Sequence, residues 1–162
     1  MINDALLAFL IYGTVTQEIS HMDTIENEIQ SKGLTAPRVT PAQIEAVIAE
    51  EHYFTAAEGE FGARVRAALK AGEGPQGVEL AVHSKLTLLT ICVLVLTNGF
   101  TVTGESACAS PENFDAELGR KIARANAVNK IWPLEGYLLK QRLHDTAADN
   151  AAALDSAIGR QA

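Results

Sequence analysis

The chain has 162 residues, 48 % of them hydrophobic, which suits one domain with a real apolar core. Its formal charge of −7 argues against non-specific binding to duplex nucleic acid, which requires a broad basic surface. No apolar run reaches the ~18 residues of a membrane span, and two cysteines, Cys92 and Cys108, are too few for a disulfide framework or a zinc site.

The chain opens on "MINDALLAFLIYG", whose apolar run has no Lys or Arg ahead of it, so no export signal is expected. Met22 precedes a more ordinary beginning, and residues 1–21 are read as a non-native or peripheral extension. A single α+β domain is expected over 22–144, followed by an alanine-rich tail over 145–162. The expected compartment is a reducing cytoplasm.

"DTIENEIQSKG" (23–33) predicts a short helix with Ile25 and Ile29 on one face and Gly33 as its stop. The two prolines of "LTAPRVTP" predict an extended linker, and Thr40-Pro41 a helix entry with the hydroxyl as N-cap. That helix is expected from Pro41 to about Glu51, with Ile44, Val47 and Ile48 facing the core. "EHYFTAAEG" reads as its end or as a docked loop, and His52-Tyr53-Phe54 as a core or interface group. The Gly/Pro-rich stretch 71–79 predicts a surface loop.

Residues 86–96, "LTLLTICVLVL", predict a strand, and Asn98-Gly99 after it predicts a hairpin turn. A two-residue loop pairs Thr97 with Phe100, Val95 with Val102 and Leu94 with Thr103. Phe100 and Val102 then share the core face with Val95, Val93 and Ile91. Thr101, Thr103 and Glu105 share an open face with Leu96, Leu94 and Cys92. In this register Cys92 pairs with Glu105 and Cys108 with Leu89 on the opposite face, so the thiols do not meet. Ser110-Pro111 predicts the entry of a long helix towards Leu143, kinked or broken at Pro133. Its apolar stripe is Leu118, Ile122, Ala125, Ile131, Leu134, Leu138 and Leu139. The fold class is therefore α+β: a small antiparallel sheet with a central β-hairpin, packed by N-terminal helices and a long C-terminal helix.

Charge is unevenly spread. Residues 1–60 carry two basic residues against ten acidic ones, a balance of −8. From Gly119 to Arg142 six basic residues face Glu135 alone, a balance of +5. This is a footprint for a small anion or an acidic partner. No catalytic residues and no metal site are expected. The four histidines are scattered, Ser106 and Cys108 sit in no nucleophile elbow, and no GxxxxGK phosphate loop follows Gly99 or Gly104.

Binding residues are better candidates. Arg120, Arg124 and Lys130 can neutralise phosphate, or simply form a solvated helix face. Asn113 and Asp115 sit at a helix start, where they can read a ribose or base or serve as caps. Phe100 and Trp132, with Tyr137 near the latter, offer stacking surfaces or core packing. Thr101 and Thr103 offer a ligand wall.

The block "LTNGFTVTGESACASPENFDAELGRKIARANAVNKIWPLEGYLL", with "TAPRVTPAQIEAVIAEEHYFTAAEG" upstream, resembles a family of small phage and prophage proteins, gene products 49 and 66. The resemblance spans roughly residues 23–143 and rests on "HYFTA", "NGFTVTGESAC", "ENFD" and "KIWPLEGYLL". The layout is also similar to the Thoeris anti-defence sponges of phages. That likeness implies an oligomer, a dimer or higher, in the cytoplasm of a bacterial host. It further implies sequestration, without cleavage, of a small cyclic nucleotide signal, of the cyclic ADP-ribose type or a cyclic oligonucleotide, with no cofactor. The rival expectations are a phage protein that binds and inhibits a host protein, and a cryptic phosphodiesterase.

Overall fold

The computed structural model describes residues 24–74, 78 and 85–159. The extension (1–21) and residues 75–77 and 79 of the expected loop lie outside the described residues. A first helix, α1, covers 24–31 and stops before Gly33, as expected. Arg38 donates to both carboxylate oxygens of Glu26, at 2.5 and 2.7 Å, and so ties the extended linker back to α1.

Helix α2, Pro41–Ala46, begins at the expected cap. The Thr40 hydroxyl accepts from the Gln43 N–H at 3.2 Å, and the Gln43 side chain returns the bond to the Thr40 N–H. The helix does not continue to Glu51. Residue 47 ends it, and strand β1, Ile48–Thr55, occupies the rest of the expected helix and the following loop. The helix is short because "IAEEHYFT" is an edge strand. Its β-branched and aromatic residues favour extended backbone, and paired acids hide the alternation a strand normally shows. Thr55 then caps α3, Ala56–Lys70, in a second capping box with Glu58.

A 3-10 turn, Lys85–Leu88, leads into β2, Leu89–Leu96, and the hairpin returns as β3, Thr101–Ala107. The sheet is an antiparallel meander in the order β1-β2-β3. The hairpin exists where Asn98-Gly99 places it, but its loop has three residues. Leu96 N–H donates to the Phe100 carbonyl and Gly99 N–H to the Leu96 carbonyl, each at 2.8 Å. Gly99 takes φ +82°, the left-handed residue that closes a three-residue loop.

One extra loop residue moves the register by one: Leu94 pairs with Val102, Val93 with Thr103, and Val95 with Thr101. The faces of β2 invert as a result, whereas Val102 keeps its expected core position and Thr101, Thr103 and Glu105 their expected open one. Cys92, Leu94, Leu96 and Val102 form the core, whereas Phe100 is 54 % exposed. Thr101, Thr103 and Glu105 share the outward face with Ile91, Val93 and Val95, which are half-buried. The cysteines are free, for a different reason than register parity. Cys92 pairs with Gly104 and the Cys108 N–H donates to Leu88, so both lie on the same side. Four residues of strand, about 13 Å, keep them apart.

The core closes when α4, Ala116–Gly159, lies across β2 and β3. Its start is corrected: Pro111–Asn113 is a separate 3-10 turn, Ser110 makes no side-chain cap, and Asp115 caps α4 by accepting the Leu118 N–H at 2.8 Å. The helix also runs unbroken through Pro133. That residue is exposed, so water can reach the carbonyl whose partner the proline ring removes. The buried spine of α4 is Gly119, Ala123, Ala127 and Ile131, one residue per turn. Small residues there let the helix descend until Gly104 meets it. A Cβ at Gly104 would stand 2.1 Å from the Ala123 carbonyl oxygen and 2.3 Å from the Ala127 nitrogen.

Candidate functional site

Where the hairpin's open end meets the start of α4, a cleft of about 130 Å³ forms. One side is strand: Thr90 from β2 and Ser106 from β3. Another is the connection 108–115, carrying Cys108, Ser110, Asn113 and Asp115. The first turns of α4 supply Leu118, Gly119 and Ile122. Gly119 brings the helix down onto the strand, since a Cβ there would stand 2.7 Å from the Thr90 hydroxyl. The connection is fixed by its own bonds: Cys108 N–H to Leu88 at 2.9 Å, the Cys108 thiol to the Ser110 carbonyl at 3.1 Å, and Asn113 N–H to the same carbonyl at 3.1 Å. Apolar walls with a few converging hydroxyl, amide and carboxylate groups are the make-up of a small-molecule site.

The sequence-predicted residues divide among three places. Asn113 and Asp115 line the cleft, both exposed at its rim. The Asp115 carboxylate spends one oxygen on the α4 cap, whereas no described residue holds the Asn113 amide. Arg120 follows Gly119 on α4, exposed, its guanidinium bonded to no described residue. Phe100 stands at the other end of β3, about 20 Å of strand away from the cleft. Trp132 is on α4, half-buried against the core cluster, its indole N–H buried without a partner among the described residues. Thr101 and Thr103 lie on the outward sheet face, where Thr103 donates to Glu105 at 3.2 Å.

Two of the three phosphate candidates are engaged elsewhere. Arg124 donates to Glu51 at 3.0 Å and to Glu45 at 2.7 and 3.3 Å, locking α4 to β1 and α2. These carboxylates hold the guanidinium protonated well above its ordinary value. The Arg124 bond, aided by the Tyr53 hydroxyl, keeps Glu51 below the usual carboxylate range against the opposing effect of burial. Burial, then the bond to Glu51, raises the Tyr53 phenol. Lys130 donates to the Thr103 carbonyl at 2.7 Å and stands 3.6 Å from Glu105. Sequence reasoning missed Thr90, Cys108 and Gly119 as cleft residues. The signal available was the density of small polar residues in "GESACASPENFD", which reads as one wall and one corner of a pocket without marking these three.

Among the described residues no cluster of three His, Cys, Asp or Glu side chains is arranged to hold a metal ion. No helix among them is long and apolar enough to cross a membrane. The family model for "Phage protein (N4 Gp49/phage Sf6 gene 66) family" matches residues 39–143, well over half of the chain and the whole of the sheet, the cleft and the packed part of α4. Comparison with curated proteins and with solved structures gives no match.

Proposed function

The chain belongs to the phage protein family of N4 Gp49 and phage Sf6 gene 66, and from that premise we propose a binding protein that sequesters a small cyclic nucleotide immune signal without cleaving it. The observation that carries this reading is the cleft: apolar walls, a fixed polar connection and the unengaged Asn113 amide, with the exposed Arg120 following the lining residue Gly119 on α4. Asn113 and Asp115 hydrogen-bond a base or ribose, and Arg120 neutralises phosphate. Arg124 and Lys130 leave this scheme because their charges already serve α4. Phe100 and Trp132 leave it as partners of the same cleft because the length of β3 intervenes.

At about 130 Å³ the cleft holds only part of such a ligand, since sites for whole small molecules occupy roughly 300 to 1,000 Å³. The proposal therefore includes an oligomer, in which a second copy completes the enclosure. The half-buried row Ile91, Val93 and Val95 gives the hairpin an outward face suited to such contact.

Isothermal titration with cyclic ADP-ribose isomers and cyclic di- and trinucleotides tests the reading. Micromolar or tighter binding is expected for one of them. Asn113→Ala should weaken it about tenfold or more, with the melting temperature unchanged. Chromatography of the ligand released on denaturation should return it intact. Silence across the panel overturns the proposal, and a cleaved product replaces it with a phosphodiesterase.

A further inference from the structure

The two edges of the sheet are treated differently. In the ladder between β2 and β3, the backbone groups of Thr101, Thr103 and Glu105 point outward at the free edge of β3. Side chains of α4 stop that edge. Lys130 donates to the Thr103 carbonyl at 2.7 Å, and Asn126 donates to the Glu105 carbonyl at 2.8 Å. An incoming strand would have to displace both.

Among the described residues no side chain covers β1 in this way. Val95, Val93 and Ile91 turn their backbone groups towards Glu50, His52 and Phe54. The N–H and C=O of Glu51 and Tyr53 therefore point away from the sheet. No described residue hydrogen-bonds to these backbone groups, and residues 49–52 are exposed in succession. The bulge lies at the start of the strand, between Ile48 and Glu50, so the pleat beyond it is regular. The Thr55 N–H is already taken by Glu58, which marks the other end of the free stretch.

The chemistry beside this edge selects its occupant. On the outward face stands Glu50, its side chain 63 % exposed and 2.9 Å from the ring of His52, the edge's other outward polar group. On the helix face Glu45 and Glu51 share one guanidinium, Arg124, which leaves one negative charge in surplus. Both faces of the edge are therefore acidic. A second copy, itself carrying −7, would set Glu50 and Glu51 against their like and is disfavoured. We infer that the free edge of β1 is a docking edge for an extended basic segment of another protein. That segment adds as a fourth strand through the backbone of Glu51 and Tyr53, with lysine or arginine beside Glu50 and the Glu45–Glu51 pair. Backbone pairing supplies the affinity and alternate side chains the selectivity. The inference stands on β1 and is independent of the cleft.

The test uses the full chain and an eight-residue peptide of paired lysines and paired valines, which puts lysine on both faces of the added strand, with blocked termini. Two controls accompany it: the same peptide N-methylated at alternate residues, and a glutamate–valine counterpart. Amide hydrogen exchange is followed by NMR. The lysine peptide should slow exchange at Glu51 and Tyr53 about tenfold or more, leave Thr101 and Thr103 unchanged, and lose about tenfold in affinity to Glu50→Lys. The N-methylated and acidic peptides should not protect these amides. Equal protection by either control, protection at β3 instead, no protection at millimolar lysine peptide, or a β1-paired dimer of the chain itself would each overturn the inference.

Discussion

The guanidinium of Arg124 faces two carboxylates at once, Glu45 from α2 and Glu51 from β1, across more than seventy residues of sequence. In the sequence it is one of six basic residues between Gly119 and Arg142 and looks available for phosphate. Its partners make it a clamp. Glu51 has a lowered folded pKa, so its bond stabilises the fold above the unfolded value of about 4.3 and is lost as pH falls through the folded value. Arg124→Ala should cost about 1 kcal/mol at neutral pH, because the side chain is 31 % exposed and solvent screens part of the attraction. Thermal melts of both proteins from pH 7 down to about pH 3 check this: the gap between them should shrink once pH drops below the ordinary carboxylate range. A gap that stays constant would mean that the variant acts through packing alone.

At the scale of elements, the contact between β3 and α4 sets the thickness of the domain. Gly104 and the alanines at 123 and 127 are its whole interface at that level, with backbone against backbone. Gly104→Ala places a methyl group within 2.1 Å of the Ala123 carbonyl, and no flexible side chain can yield. The helix must lift, at a cost of about 3 kcal/mol, which chemical denaturation would register as a lower midpoint at nearly unchanged slope. The same elements show what the sequence made legible. Hydrophobic runs, proline and turn signals placed the hairpin, the α2 cap, the linker and the long C-terminal helix. The faces of β2 and the place of Phe100 differ from expectation, because Asn-Gly is compatible with two- and three-residue loops and a single residue decides which side of a strand is buried. Strand β1 was missed because Glu50 and Glu51 stand together, which an edge tolerates and a central strand does not. The α4 stripe was drawn through its large residues, whereas the buried spine consists mostly of small ones. Of the binding residues, Asn113 and Asp115 were legible at a helix entrance. Arg124 and Lys130 were not separable from free cations, since their partners come from distant strands.

For the molecule as a whole, α4 is longer than the body it packs on. Its 44 residues extend about 66 Å, and every residue from 140 to 158 is exposed. The sheet, the cleft and the clamp at Arg124 all meet the helix before that point. The last turns are helical because the anchored portion supplies the nucleus and alanine propagates it at little cost. The alanine-rich tail, whose composition suits a frayed helix, continues α4 to residue 159 without adding to the core. Truncation after Leu143 should lower the far-ultraviolet helical signal yet move the melting midpoint by no more than about 2 °C, the range expected when only exposed residues are removed. Binding to the cleft should be unaffected in titration. A larger drop that deepens on dilution would instead show Leu154 and Ile158, both more than 60 % exposed in the single chain, holding copies of the protein together. The outward sheet face would then no longer be needed to account for an oligomer.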